Sequence, residues 1–136
     1  MRIAVVSVCA VRKEVPDYVK ALARGMESMG HRVDILDAWI EDGFKLPSYE
    51  YIAVCAEAAS VWGGKMPSAL ARVLGSGSGL VGKKSAAFFK KSAPIFVNRA
   101  LSNLMKSMEK EGMMINWSEV LLNASHAEAM GKRIGA

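Results

Sequence analysis

The chain has 136 residues, of which 51% are hydrophobic and 23% are charged, and its formal net charge is +5. This length suits one domain, residues 1–136, and no apolar run approaches the roughly 20 residues that span a membrane, so we expect a soluble protein. The basic pairs are scattered and no base-stacking aromatic motif accompanies them, which argues against nucleic-acid binding as the main role.

The first predicted element is a β-strand over Arg2–Val8. Its continuous run, rich in β-branched residues, is typical of a central parallel strand covered on both faces. The run also resembles a short export signal, but its basic region is one residue and Val8 is a poor neighbour for cleavage before Cys9. We therefore interpret it as a strand and expect a cytoplasmic protein.

The next elements alternate between helix and strand. A helix opens at Pro16 and stops at Gly30, because its apolar residues recur at helical spacing between them. Segment 31–37 alternates polar and apolar residues, which predicts a short strand near a sheet edge. The apolar run Tyr51–Ala56 predicts the third strand, and Pro67 opens the helix that follows it.

The remaining sequence continues this order. Segment 75–82 is a glycine- and serine-rich surface connection, and 85–89 predicts the fourth strand. Leu101, Leu104, Met105 and Met108 mark a helix closed by Gly112. A short fifth strand is predicted over 120–122.

The last predicted helix begins at a capping box formed by Ser125 and Glu128. The whole alternation favours an open parallel sheet with helices on both faces, since parallel strands need crossover connections. The sequence therefore predicts an α/β fold.

Two stretches resemble flavodoxin-like proteins. Residues 49–74, YEYIAVCAEAASVWGGKMPSALARVL, are similar to the third strand, aromatic-glycine loop and following helix of that family. Residues 82–89 and 129–136 resemble its fourth strand and its terminal helix with a Gly-Lys-Arg-Ile pattern. The resemblance implies a three-layer α/β/α fold, a five-stranded parallel sheet of order 2-1-3-4-5, and FMN bound beside strands one and three.

The resemblance also implies cofactor-binding residues after strands one, three and four. The stretch after strand one contains no glycine, and its β-branched valines hinder an amide-lined phosphate turn. The candidates are Ser7, Arg12 and Lys13 for the phosphate, Trp62, Gly63 and Gly64 for the ring, and Ser92 after strand four.

Each candidate has a plainer interpretation. Arg12 and Lys13 either supply charge to a phosphate or are solvated residues at a helix start. Trp62 either stacks on a flavin or covers the sheet end or a partner surface, and the glycines that follow it also suit a sharp strand-to-helix turn. Lys90 and Lys91 either raise the reduction potential of a flavin or point to solvent.

Cysteine spacing indicates neither a disulfide framework nor a zinc site. Cys9 and Cys55 fall near the ends of neighbouring strands, so they either react as a thiol pair or pack as inert residues. His31 and His126 have no potential ligand or catalytic partner at suitable spacing. No residue is identified as a general acid, base or nucleophile.

Two functions follow from these patterns. The first is an FMN-binding redox protein, either an electron carrier or a small FMN-dependent oxidoreductase, which would need a redox partner protein. The second is a flavin-free domain of the same fold that acts as a binding module. The sequence leaves the oligomeric state open, and a dimer is compatible with it.

Overall fold

Strands and helices alternate along the chain in the computed structural model, which describes residues 1–59, 65–75, 79–91 and 97–134. A short 3-10 helix, Leu46–Ser48, precedes the third strand. Among the described helices, none is long and apolar enough to cross a membrane. The elements are β1 (Arg2–Val8), α1 (Asp17–Glu27), β2 (Arg32–Asp37), β3 (Tyr51–Ala56), α2 (Ser68–Gly75), β4 (Lys84–Lys90), α3 (Val97–Lys110), β5 (Met114–Leu121) and α4 (Ala124–Gly131).

The strands form a parallel sheet of order β2-β1-β3-β4-β5, which confirms the predicted order. In this sheet Ser7 of β1 lies between Asp37 of β2 and Cys55 of β3. The chain leaves β1 towards one side for β2 and later crosses to the other side for β3. The carboxyl ends of β1 and β3 therefore flank the position where the strand order reverses, which is the usual ligand site of such sheets.

Helices cover both faces of the sheet, as predicted. The two faces carry separate apolar cores, because successive side chains of each strand point in opposite directions. On one face, α1 and α4 pack against the sheet through Leu22, Met26 and Ala127. On the other, α2 and α3 pack through Leu70 and Leu104. The result is the predicted three-layer α/β/α arrangement.

Two glycines set the distance between α1 and α4. A Cβ atom at Gly25 would clash with the carbonyl oxygen of Glu128, and one at Gly131 would clash with the carbonyl oxygen of Leu22. Both glycines are buried. The helices thus touch through backbone, and Gly131 is the glycine of the Gly-Lys-Arg-Ile pattern noted in the sequence.

Two local predictions were wrong. The fifth strand begins at Met114 rather than at 120, because it is an edge strand in which polar, exposed residues such as Asn116 and Ser118 interrupt the apolar pattern. The last helix is capped by Asn123, whose side chain accepts a hydrogen bond from the His126 N–H at 2.8 Å. Ser125 lies inside the first turn of that helix, so the predicted capping box with Glu128 does not form.

We expect Gly25→Ala to lower the free energy of unfolding by about 1–3 kcal/mol, because the added methyl group forces α1 away from α4. Gly75→Ala in α2 is the matched control, since no atom lies within 4 Å of the added methyl group. Its effect should stay within about 0.5 kcal/mol. Urea unfolding of both variants measures the difference, and equal effects would contradict the close helix contact.

Candidate functional site

The loop between β1 and α1 lies at the edge of the sheet where the strand order reverses. β1 ends at Val8, and α1 starts at Asp17 after Pro16, which makes no side-chain cap. Because Asp17 is acidic, the chain itself complements the positive end of the α1 dipole. The amides and side chains of the preceding loop are the groups that a ligand at this edge would meet.

Three predicted phosphate ligands belong to this region, and the structure places them differently. Ser7 is buried inside β1, and its hydroxyl lies 3.7 Å from the Cys9 sulfur, so it presents no surface to the crevice. Arg12 and Lys13 are exposed and line an open cleft of about 630 Å³ together with Asp37. The basic pair is therefore accessible, whereas the serine is not.

The most organised feature of this edge is Glu57, the first residue after β3. Its carboxylate accepts hydrogen bonds from the Ala10 backbone N–H at 2.9 Å and from the Tyr18 hydroxyl at 3.0 Å. The ammonium group of Lys13 lies 3.1 Å from its nearer carboxylate oxygen. One carboxylate thus joins the end of β3, the loop after β1 and the first turn of α1.

The surroundings of Glu57 keep it negatively charged. Burial raises the pKa of its carboxyl, but the hydrogen bonds from Ala10, Lys13 and Tyr18 outweigh that effect, so the pKa lies below its ordinary value of 4.5. Burial, reinforced by the negative charge nearby, raises the pKa of the Tyr18 hydroxyl well above its usual range. Tyr18 consequently stays protonated and acts as a donor to Glu57.

Further contacts hold the same loop from the β2 side. The indole N–H of Trp39 donates to the Cys9 carbonyl oxygen at 2.9 Å. The guanidinium group of Arg72 in α2 in turn donates to the carbonyl oxygens of Ala38 and Glu41. The start of the β1–α1 loop is therefore fixed on both sides, by Trp39 and by Glu57.

Both cysteines lie at this edge as buried free thiols. Burial raises the pKa of Cys9, partly offset by its hydrogen bond with Ser7. Burial also raises the pKa of Cys55, well above the usual thiol range. Because a protonated thiol is a poor nucleophile, neither residue has the character of a reactive cysteine.

The carboxyl end of β4 adds a second cation. The ammonium group of Lys90 lies 5.7 Å from the centre of the Tyr18 ring and donates to the Lys91 carbonyl oxygen at 3.0 Å. One of the two interpretations of this pair was that both lysines point to solvent. Lys91 is indeed exposed, whereas Lys90 is half-buried. A cation thus lies next to each of the two residues, Lys13 beside Glu57 and Lys90 near the Tyr18 ring.

The predicted ring-binding residues Trp62, Gly63, Gly64 and Ser92 lie outside the described residues, so their roles stay predictions. Ala59 and Lys65, which precede and follow the segment with Trp62, Gly63 and Gly64, are hydrogen-bonded to each other. The Ala59 N–H donates to the Lys65 carbonyl oxygen at 2.7 Å. The connection that carries Trp62 therefore starts and ends at one place, next to β3.

Sequence reasoning missed Glu57 and Tyr18. Glu57 carries a signal that could have identified it, namely a single acidic residue placed directly after a buried apolar strand, at the edge where ligands bind. Tyr18 carries none, since an aromatic residue in the first turn of an amphipathic helix is ordinary core. Their partnership joins positions 39 residues apart, which no local pattern reveals.

No protein-family model matches the chain, and no curated protein is similar to it in sequence. Solved structures do match. Oxidised flavodoxin 1 from Bacillus cereus has a TM-score of 0.73 at 15% identity, with 99% of this chain and 95% of that chain covered. A flavodoxin from the domain Archaea gives 0.71 at 19% identity, with 99% and 94% covered. A flavodoxin variant from Pseudomonas aeruginosa gives 0.75 at 12% identity, with 98% and 96% covered.

The chain has the flavodoxin-like fold. This confirms the architecture that the resemblance implied, and it places the β1–α1 loop of this flavodoxin-like chain at the switch point of its sheet. The described loop residues do not fit the phosphate of FMN as they stand. The Ala10 amide and the Lys13 ammonium group, which suit an anion, already hold the carboxylate of Glu57.

We expect Glu57→Gln to lower the free energy of unfolding by about 1–2 kcal/mol at neutral pH, because the neutral amide loses the charge that pairs with Lys13 and keeps only one of the two accepting oxygens. The folded pKa of Glu57 lies below the unfolded one. Its stabilisation is therefore complete above the unfolded pKa and is lost as pH falls through the folded pKa.

The difference between wild type and Glu57→Gln should accordingly shrink below about pH 4. Urea unfolding at a series of pH values measures it. Glu14→Gln, which changes an exposed carboxylate of the same loop, is the control and should leave stability unchanged at every pH. A difference between wild type and Glu57→Gln that stays constant with pH would contradict the charged state of Glu57.

The two buried thiols should react slowly with a chromogenic disulfide reagent in the native protein and rapidly in urea, since both are protonated and covered. Titration after mild oxidation should still count two free thiols. Loss of both thiols in a monomer would instead indicate that Cys9 and Cys55 form a disulfide.

Proposed function

We propose that this protein is a flavin-binding redox protein, either an electron carrier or a small flavin-dependent reductase. FMN is the flavin that the resemblance implies. A bound flavin supplies the electron transfer, and the protein supplies position and electrostatics.

The observation that carries this proposal is the arrangement of the sheet. Solved flavodoxins match the chain over nearly its whole length, and the strand order reverses between β1 and β3, the strand that precedes Trp62 in the sequence. The ammonium group of Lys90 adds positive charge at the same edge. Positive charge there favours a ligand that gains negative charge on reduction.

A flavin-free binding module is the second candidate, and Glu57 is the observation that favours it. The Ala10 amide and the Lys13 ammonium group of the β1–α1 loop both bind the Glu57 carboxylate. The protein can therefore hold this loop in place without a ligand. The flavodoxin-like fold serves many unrelated functions, so the fold itself is compatible with this alternative. Binding measurements distinguish the two candidates.

We expect purified protein to be yellow, or to quench the fluorescence of added flavin on titration with FMN and riboflavin. Trp62→Ala should weaken binding of the flavin by about tenfold, the loss expected when one stacked aromatic ring is removed. Colourless protein that is indifferent to both flavins would contradict the redox proposal and leave the binding module.

Trp117→Phe is the matched control for Trp62→Ala. Trp117 lies beside Met1 and Lys84 at the amino edge of the sheet, opposite the proposed site, and its indole N–H has no partner among the described residues. Replacing it with another aromatic ring should therefore leave flavin affinity unchanged. Equal losses in the two variants would indicate general destabilisation rather than a lost contact with the flavin.

A further inference from the structure

The carboxylate of Glu57 occupies the place where a loop at a switch point would stabilise a ligand anion. Such loops use backbone N–H groups and nearby basic side chains for this purpose. Here Ala10 contributes an N–H, Lys13 an ammonium group and Tyr18 a hydroxyl, at distances of 2.9, 3.1 and 3.0 Å. All three donors are directed at a group that belongs to the protein.

We propose that Glu57 takes the place of the ligand's phosphate, so that the site binds riboflavin, which lacks a phosphate, more tightly than FMN. This inference rests on the proposed function, because it specifies which flavin the same site binds. The side chain of riboflavin ends in a hydroxyl group, which donates to a carboxylate. That of FMN ends in a phosphate monoester carrying about −1.5 to −2 charges at neutral pH.

A phosphate at this place meets one of two obstacles. If Glu57 stays, two anions compete for the same donors and repel each other. If Glu57 leaves, its carboxylate gives up three hydrogen-bonding partners. This loss is costly because the side chain is only 13% exposed and meets little water in its place. Either route weakens FMN binding, and neither affects a flavin that ends in a hydroxyl group.

The donors differ in their freedom to change partner. Lys13 has a flexible side chain that is 44% exposed, so it can follow a phosphate. Ala10 donates through the backbone of a loop that Trp39 also anchors, and Tyr18 is buried against the sheet. Two of the three donors are thus fixed on Glu57, which makes exchange for a phosphate unfavourable.

The test is a pair of fluorescence titrations, with riboflavin and with FMN, at one ionic strength. Wild-type protein should bind riboflavin at least about tenfold more tightly than FMN. Glu57→Gln removes the charge and keeps the size, so it should abolish or reverse that preference. Glu50→Gln is the matched control, because Glu50 accepts the Arg2 N–H at 3.1 Å and is exposed next to the start of β3. It should keep the wild-type ratio.

Each outcome decides between the possibilities. Wild-type binding of FMN that equals or exceeds that of riboflavin overturns the inference and leaves the proposed function standing. An unchanged ratio in folded Glu57→Gln also overturns the inference. Binding of neither flavin contradicts the proposed function itself. If Glu57→Gln does not fold, the wild-type ratio alone decides.

Discussion

The hydrogen bonds around the Glu57 carboxylate connect elements that the sheet alone would leave independent. Glu57 lies directly after β3, and the Ala10 amide and the Lys13 ammonium group belong to the loop after β1. The Tyr18 hydroxyl comes from the first turn of α1. Because the group is largely shielded from solvent, these bonds are stronger than they would be in water, and losing any donor is correspondingly costly. The shape of the crevice at the switch point therefore depends on this one negative charge.

The fold creates the crevice at the switch point, but the loop residues around Glu57 decide which groups the crevice can bind. The flavodoxin-like sheet creates a crevice whether or not its loops suit a phosphate. In this chain the loop after β1 lacks glycine and uses its exposed Lys13 for an internal ion pair, while Ser7 is buried inside β1. The same backbone geometry that would serve a cofactor phosphate in another sequence here serves the protein's own side chain.

The order of strands and helices could be predicted from sequence because each element follows a local rule. β1 and β3 are mostly apolar, and Leu22 and Met26 recur at helical spacing. The fifth strand was underestimated because an edge strand that is exposed on alternate positions lacks such a run. The cap of α4 was misplaced because Asn123 and Ser125 are both good capping residues two positions apart.

The site was less predictable for a physical reason. Its position followed from topology, which brings the strand ends together. Its chemistry depends on Glu57 and Ala10, which are 47 residues apart in sequence and meet only once β3 has paired with β1. No periodicity or motif encodes such a pair.

The backbone contact between α1 and α4 has a consequence for how the protein is made. Arg24 of α1 pairs with Glu128 of α4 at 3.3 Å, across 104 positions of sequence, beside the two glycines where the helices touch. During synthesis α1 is made before α4, and the part of its surface that α4 covers stays exposed until α4 has left the ribosome. The layer on this side of the sheet can therefore close only after α4 has been made, and a ribosome-bound chain that still lacks α4 exposes the apolar surface of α1 to chaperones.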